Sequence, residues 1–133
     1  MRVLEAGDWS LLLPDEWFAE KEDGVIFIGD RDGVGCLEIS ELRRSDDSPA
    51  SSADAAMEEL LEPGVAWSRA HCGSFSGFKG AFTEDDAALR EWYLSCGDLL
   101  LYITYSCDPS NAGMDDAAVD EMLETLRFAV ADS

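Results

Sequence analysis

The chain has 133 residues, near the commonest size for one domain, and with 47% hydrophobic residues it holds enough apolar side chains for one core but not two. Its 29 Asp and Glu against 9 Lys and Arg give a net charge of −20, which excludes nucleic acid and anionic lipid surfaces as expected partners. The longest apolar run, Leu99 to Tyr105, is too short to cross a bilayer, so no membrane association is expected.

Met1-Arg2-Val3-Leu4-Glu5 reaches acidic residues before any apolar stretch, so no sorting signal is expected and the cytoplasm is the expected location. Trp9 to Leu13 is a short apolar run ended by Pro14, and Pro14-Asp15-Glu16-Trp17 reads as a turn that brings a large aromatic back to the core. After the polar stretch Ala19 to Asp23, Gly24 opens the β-branched and aromatic strand Val25 to Ile28. Asp30-Arg31-Asp32-Gly33 supplies hairpin chemistry, because Asp-Gly tolerates positive φ, and the return strand runs from Gly35 to Leu42.

Ser45 to Ser52 is polar, small and Pro-containing, hence a loop. From Ser51 the pattern turns helical, with a capping-box-like Ser51 and Asp54 followed by Ala55 to Leu61, and Pro63-Gly64 stops it. Between Val65 and Asp86, glycines interrupt aromatic residues, giving two strands, Ala66–Cys72 and Phe75–Thr83, with Glu84-Asp85-Asp86 as a solvated turn. Two stronger strands, Leu89–Cys96 and Leu99–Cys107, join at Gly97-Asp98. Leu99 to Ile103 is apolar at every position, which predicts a central strand covered on both faces. Asp115-Asp116 start a last helix, where Val119, Met122, Leu123 and Leu126 fall at i, i+3, i+4 and i+7 and form a stripe that lies on the sheet.

The expected order is β-β-β-α-β-β-β-β-α: an α+β domain over residues 1–133, with a largely antiparallel sheet of six or seven strands flanked by two main helices.

The chemistry-bearing residues point to no reaction. Cys36, Cys72, Cys96 and Cys107 show no CxxC pair, so they read as reduced core thiols with no metal. His71 is the one histidine, and its neighbour Cys72 points to the opposite face of a strand, so the two cannot pair side chain to side chain. Asp30, Asp32 and Gly33 resemble the start of a calcium loop, but the glycine comes too early and a hairpin turn explains them. The stretch Gly73 to Gly80 lacks the Lys-Ser or Lys-Thr continuation that holds phosphate, so no cofactor is expected. Trp9, Trp17, Trp67 and Trp92 are core candidates first.

Four features together resemble the PsbP and Mog fold. They are Leu13-Pro14-Asp15-Glu16-Trp17 after the first strand, the hairpin Gly24 to Ser40, the paired strands Trp92 to Tyr105, and the closing Leu123-Glu124-Thr125-Leu126-Arg127-Phe128. That group includes photosystem-associated PsbP proteins, the Ran-binding import factor Mog and small bacterial proteins such as the chaperones that load type VI secretion effectors. The resemblance implies the fold and a non-enzymatic binding role; no Ran-binding or photosystem motif is present to transfer.

The expectation is a non-catalytic, acidic protein-binding module, acting as an adaptor, a chaperone or an immunity protein. Its partner is another protein, basic or presenting a hydrophobic segment, met by a monomer or a homodimer. The candidate interaction residues are Glu84, Asp85, Asp86, Asp115, Asp116 and Asp120. The alternative is a small-ligand carrier or an enzyme, which a deep pocket with convergent polar groups would distinguish.

Overall fold

The computed structural model describes residues 2–30, 33–43, 64–96 and 99–128. The loop expected at 45–52, the helix expected over 51–61 and the turn at 97–98 lie outside the described residues. Among these residues the strands are β1 (Arg2–Glu5), β2 (Trp9–Leu13), β3 (Trp17–Glu22), β4 (Val25–Asp30), β5 (Gly35–Arg43), β6 (Ser68–Cys72), β7 (Phe75–Glu84), β8 (Ala87–Cys96), β9 (Leu99–Cys107) and β10 (Arg127–Phe128). A 3-10 turn, Pro109–Asn111, precedes the helix α1 (Asp116–Glu124).

A seven-stranded sheet runs β3-β4-β5-β9-β8-β7-β6, and a three-stranded one runs β1-β2-β10. Every pairing in both sheets is antiparallel. β9 pairs along its whole length with β5, from Gly35↔Cys107 to Arg43↔Leu99, and with β8, from Ala88↔Cys107 to Cys96↔Leu99. Successive residues of a strand face opposite sides. Leu99, Leu101, Ile103 and Tyr105 therefore enter the main core, while Leu100 and Tyr102 join Tyr93, Trp67 and Phe78 in a second apolar cluster on the other face. The central strand covered on both sides is as the apolar run predicts.

The main core is closed by β2 and α1. Trp9, Leu11 and Leu13 alternate inward from β2 and meet Val119, Met122, Leu123 and Leu126, all at most 1% exposed apart from Leu13. The helix stops at Glu124, two residues short of the end of the expected stripe, so Leu126 is delivered by the chain beyond it. Thr125 makes that exit: its hydroxyl donates to the Met122 carbonyl at 2.6 Å and accepts the Leu12 N–H at 2.9 Å. Arg127 and Phe128 then pair with Ser10 and Trp9 of β2.

The sheets contain more strands than expected. β1, β3 and β10 were not predicted, because each is short or polar. In β3 only Trp17 is buried, while Phe18, Glu20, Lys21 and Glu22 are exposed, as an edge strand with one neighbour allows. The predicted Pro14 turn is present, with the Trp17 N–H bonded to the Pro14 carbonyl at 3.0 Å. Among the described residues there is one α-helix, against the two expected for the whole chain.

Gly73 permits a close approach that holds the helix end to the sheet. Its φ is +62°, and a Cβ there would lie 1.9 Å from the Leu126 carbonyl oxygen, which accepts the neighbouring Ser74 N–H at 2.9 Å. Gly73→Ala is expected to destabilise the fold through both backbone strain and that clash. Leu123→Ala or Leu126→Ala should each cost about 2–5 kcal/mol in urea denaturation, the range for truncating a fully buried leucine. Unchanged stability in the leucine variants would place the stripe at the surface.

Candidate functional site

The six candidate acids fall into two groups, one at the β7–β8 turn and one at the start of α1. β7 and β8 are joined by Asp85 and Asp86, at φ of 50° and 62°, with Glu84↔Ala87 as the closing pair. Aspartate tolerates this left-handed backbone better than most residues, so the two acids make the turn as well as charging its tip. Glu84, Asp85 and Asp86 are all exposed. Strand residues next to this tip, including Phe82, Leu89 and Arg90, line a cavity of about 320 Å³ with Tyr105, Gly113 and Asp116.

The second group is engaged within the fold. Asp115 is 8% exposed and accepts a hydrogen bond from the Tyr105 hydroxyl at 2.5 Å. Tyr105 reaches it across Gly35, where a Cβ would lie 2.2 Å from the phenol oxygen. Burial first, and then the bond to Asp115 and its charge, push the Tyr105 phenol well above its usual range, so it remains a proton donor. Asp116 and Asp120, one helical turn apart, both grip Arg90 of β8, at 3.2 and 2.8 Å, while the guanidinium lies 4.6 Å from the Trp92 ring centre. This clamp fastens α1 to the sheet. Of the six acids, Asp115 is buried, Asp116 and Asp120 pair with Arg90 while staying about half exposed, and Glu84, Asp85 and Asp86 face solvent.

The remaining sequence candidates settle into structural places. His71 is exposed and Cys72 is buried on the other face of β6. Burial, opposed by Lys79 and reinforced by Asp120 and Glu124, pushes the Cys72 thiol up to about 11, so it stays protonated and is no nucleophile at neutral pH. All four cysteines are free of disulfides, and the Cys36 thiol donates to the Leu37 carbonyl at 3.7 Å. Asp30 accepts the Gly33 N–H through its carbonyl at 3.2 Å and through its carboxylate at 2.9 Å, which makes a turn. Among the described residues no three His, Cys, Asp or Glu side chains gather to hold a metal.

Two arrangements have no sequence signal. On the second face, Glu91 is 6% exposed, with one carboxylate oxygen accepting from the Tyr102 hydroxyl at 2.5 Å and the other unbonded. Tyr102 stacks on Tyr93 at 4.8 Å, and Tyr93 meets Trp67 at 5.7 Å. Trp67 reaches the sheet because Gly80 leaves room, a Cβ there lying 2.9 Å from the indole. A second cavity, of about 270 Å³, lies at the β3–β4 turn beside Trp9, whose indole N–H donates to Glu41 at 2.6 Å. These depend on side chains far apart in sequence.

No protein-family model matches the sequence, and no curated protein matches it. Solved structures share the fold. One from Bacteroides thetaiotaomicron VPI-5482 has a TM-score of 0.67 at 19% identity over 92% of this chain and 46% of that one, so this chain spans less than half of that protein. Cyanobacterial PsbP (CyanoP) from Synechocystis sp. PCC 6803 has a TM-score of 0.62 at 10% identity, covering 91% of this chain and 86% of CyanoP. LpqN of Mycobacterium tuberculosis, described as involved in cell envelope biogenesis, has a TM-score of 0.53 at 17% identity, with coverage of 97% and 90%. The fold is PsbP-like, and identities this low carry the fold alone.

Tyr105→Phe removes the one hydroxyl that bonds Asp115 and should cost about 1–3 kcal/mol in urea denaturation, as expected when a buried acceptor loses its partner. A variant as stable as the parent would mean that Asp115 finds solvent. A pH series tests the thiol. The Cys72 pKa is raised from 9.0 to about 11 on folding, so its contribution to stability is complete below pH 9.0 and is lost as pH rises toward about 11. Cys72→Ala should flatten that alkaline limb, and an unaltered limb would contradict the assignment.

Proposed function

We propose that the protein is a non-catalytic, acidic protein-binding module of the cytoplasm whose partner is a basic protein. The observation that carries this reading is where the charges sit. Of the described Asp and Glu residues only Glu91 and Asp115 are buried, so the other described acids reach the surface. The described cations do not offset this: Arg90 is held by two aspartates, and Arg69 and Arg2, though exposed, lie over the Phe78 and Phe18 rings at 4.6 and 5.6 Å. What remains outside is a negative field that attracts a basic surface and repels other acidic chains.

Among concrete forms, an immunity protein that covers a basic toxin fits this charge better than a secretion-effector chaperone, which needs an apolar groove. The exposed large apolar residues Val3, Phe18 and Met114 lie on different elements rather than along one such groove. A small-ligand carrier or enzyme would draw on the cavity beside Tyr105. There the polar groups pair with one another, Tyr105 with Asp115 and Arg90 with Asp116, instead of converging on a guest.

The test is kinetic. With the partner purified by affinity capture and identified by mass spectrometry, association is followed from low to high salt. Steering predicts an association rate that falls steeply as the Debye length shrinks to about 8 Å at physiological ionic strength, with little change in dissociation. Glu84→Gln, Asp85→Asn and Asp86→Asn combined should lower the association rate at low salt. A rate indifferent to both salt and these substitutions would leave the acidity as a solubility device.

A further inference from the structure

We infer that the free edge of β3 is a docking strand for a basic, extended segment of a partner protein, which adds to the seven-stranded sheet as an eighth strand. The inference rests on the basic-partner reading above and gives it a location.

The geometry begins at the β3–β4 turn. Asp23 and Gly24, at φ of 51° and 82°, make the two-residue turn that matches the twist of a hairpin. Such a turn makes Glu22↔Val25 a hydrogen-bonded pair, and bonding then alternates to Glu20↔Phe27 and Phe18↔Gly29. The N–H and C=O groups of Ala19 and Lys21 consequently face away from β4. β3 is the last strand of its sheet, and no backbone or side-chain partner meets those groups among the described residues. Further along, the Trp17 N–H is taken by Pro14 and its carbonyl by the Arg2 guanidinium. Among the described residues the open edge is therefore Ala19 to Lys21.

The side chains state what fits it. Phe18, Glu20 and Glu22 project on one face and are exposed, Phe18 by 44%. An added strand places alternate residues beside these three, so cations opposite Glu20 and Glu22 and an apolar residue near Phe18 are favoured. On the other face Lys21 repels a cation, so the intervening residues of the occupant are uncharged. Asp15, Glu16 and Asp23 at the two ends of β3 extend the same sign of charge. The opposite edge of the sheet, β6, carries exposed Arg69 and His71 and offers no such match. A second copy of this chain is disfavoured at β3 by its own net charge of −20 and by Lys21, a residue type that blunts edge-to-edge pairing. Main-chain bonds then give affinity, and the alternating charges give specificity.

The test uses a short capped peptide alternating valine and lysine, and the same peptide N-methylated on the amides that would face β3, which keeps every charge but cannot pair. Isothermal titration at low salt should show binding of the first peptide and about tenfold or greater weakening for the second, the scale of losing one or two backbone hydrogen bonds. Ala19→Pro removes an outward N–H without touching the β4 pairing and should weaken the first peptide similarly, with circular dichroism and melting confirming the fold. Should that variant unfold, the two peptides on the parent protein still decide. Equal binding of both peptides would overturn strand addition while leaving the basic-partner reading intact. Failure of both to bind at low salt would overturn both.

Discussion

Over Leu99 to Ile103, β9 is bonded on both sides and covered on both faces, and the rest of the fold is arranged around that stretch. A strand in this position has no polar face to offer, which is why Leu99 to Ile103 is apolar throughout, with Leu101 and Ile103 fully buried. Its inward residues need a cover, and β2 with α1 supplies it. Its outward residues, Leu100 and Tyr102, need another, and Tyr93, Trp67 and Phe78 pack there. Of its two neighbours, β8 is largely covered, while β5 buries Leu37 and Ile39 and exposes Glu38 and Glu41; β3 and β6 lie at the rims and carry charge.

That arrangement explains how much of the fold can be read from the sequence. Strands with a neighbour on each side, such as Val25–Asp30 and Leu99–Cys107, are dense in β-branched and aromatic residues and are recognisable. β3 is not, because an edge strand needs only its inward residues to be apolar, and Trp-Phe-Ala-Glu-Lys-Glu satisfies this with Trp17 and Ala19 alone. β10 is two residues long and exists only because Thr125 turns the chain back onto β2, a tertiary event with no local signal. The helix was legible as an apolar stripe, but its end was not, since Leu126 keeps the spacing after the helix has stopped.

The candidate acids were harder to sort. In the sequence Asp115, Asp116 and Asp120 look the same as Glu84, Asp85 and Asp86, since composition and helix position reward acids in both places. Their difference lies in what approaches them from elsewhere in the chain, Tyr105 in one case and Arg90 in the other two. Held in this way, Asp115, Asp116 and Asp120 join α1 to the sheet, whereas Glu84, Asp85 and Asp86 stand in solvent.

Hydrogen exchange along β3, read amide by amide by NMR, tests the account most directly. In the free protein the account predicts slow exchange at Phe18, Glu20 and Glu22, which bond to β4, and fast exchange at Ala19 and Lys21. Addition of the valine–lysine peptide should then slow Ala19 and Lys21 selectively. Protection of Ala19 and Lys21 before any peptide is added, or protection elsewhere in the sheet and not at these two residues, would contradict it.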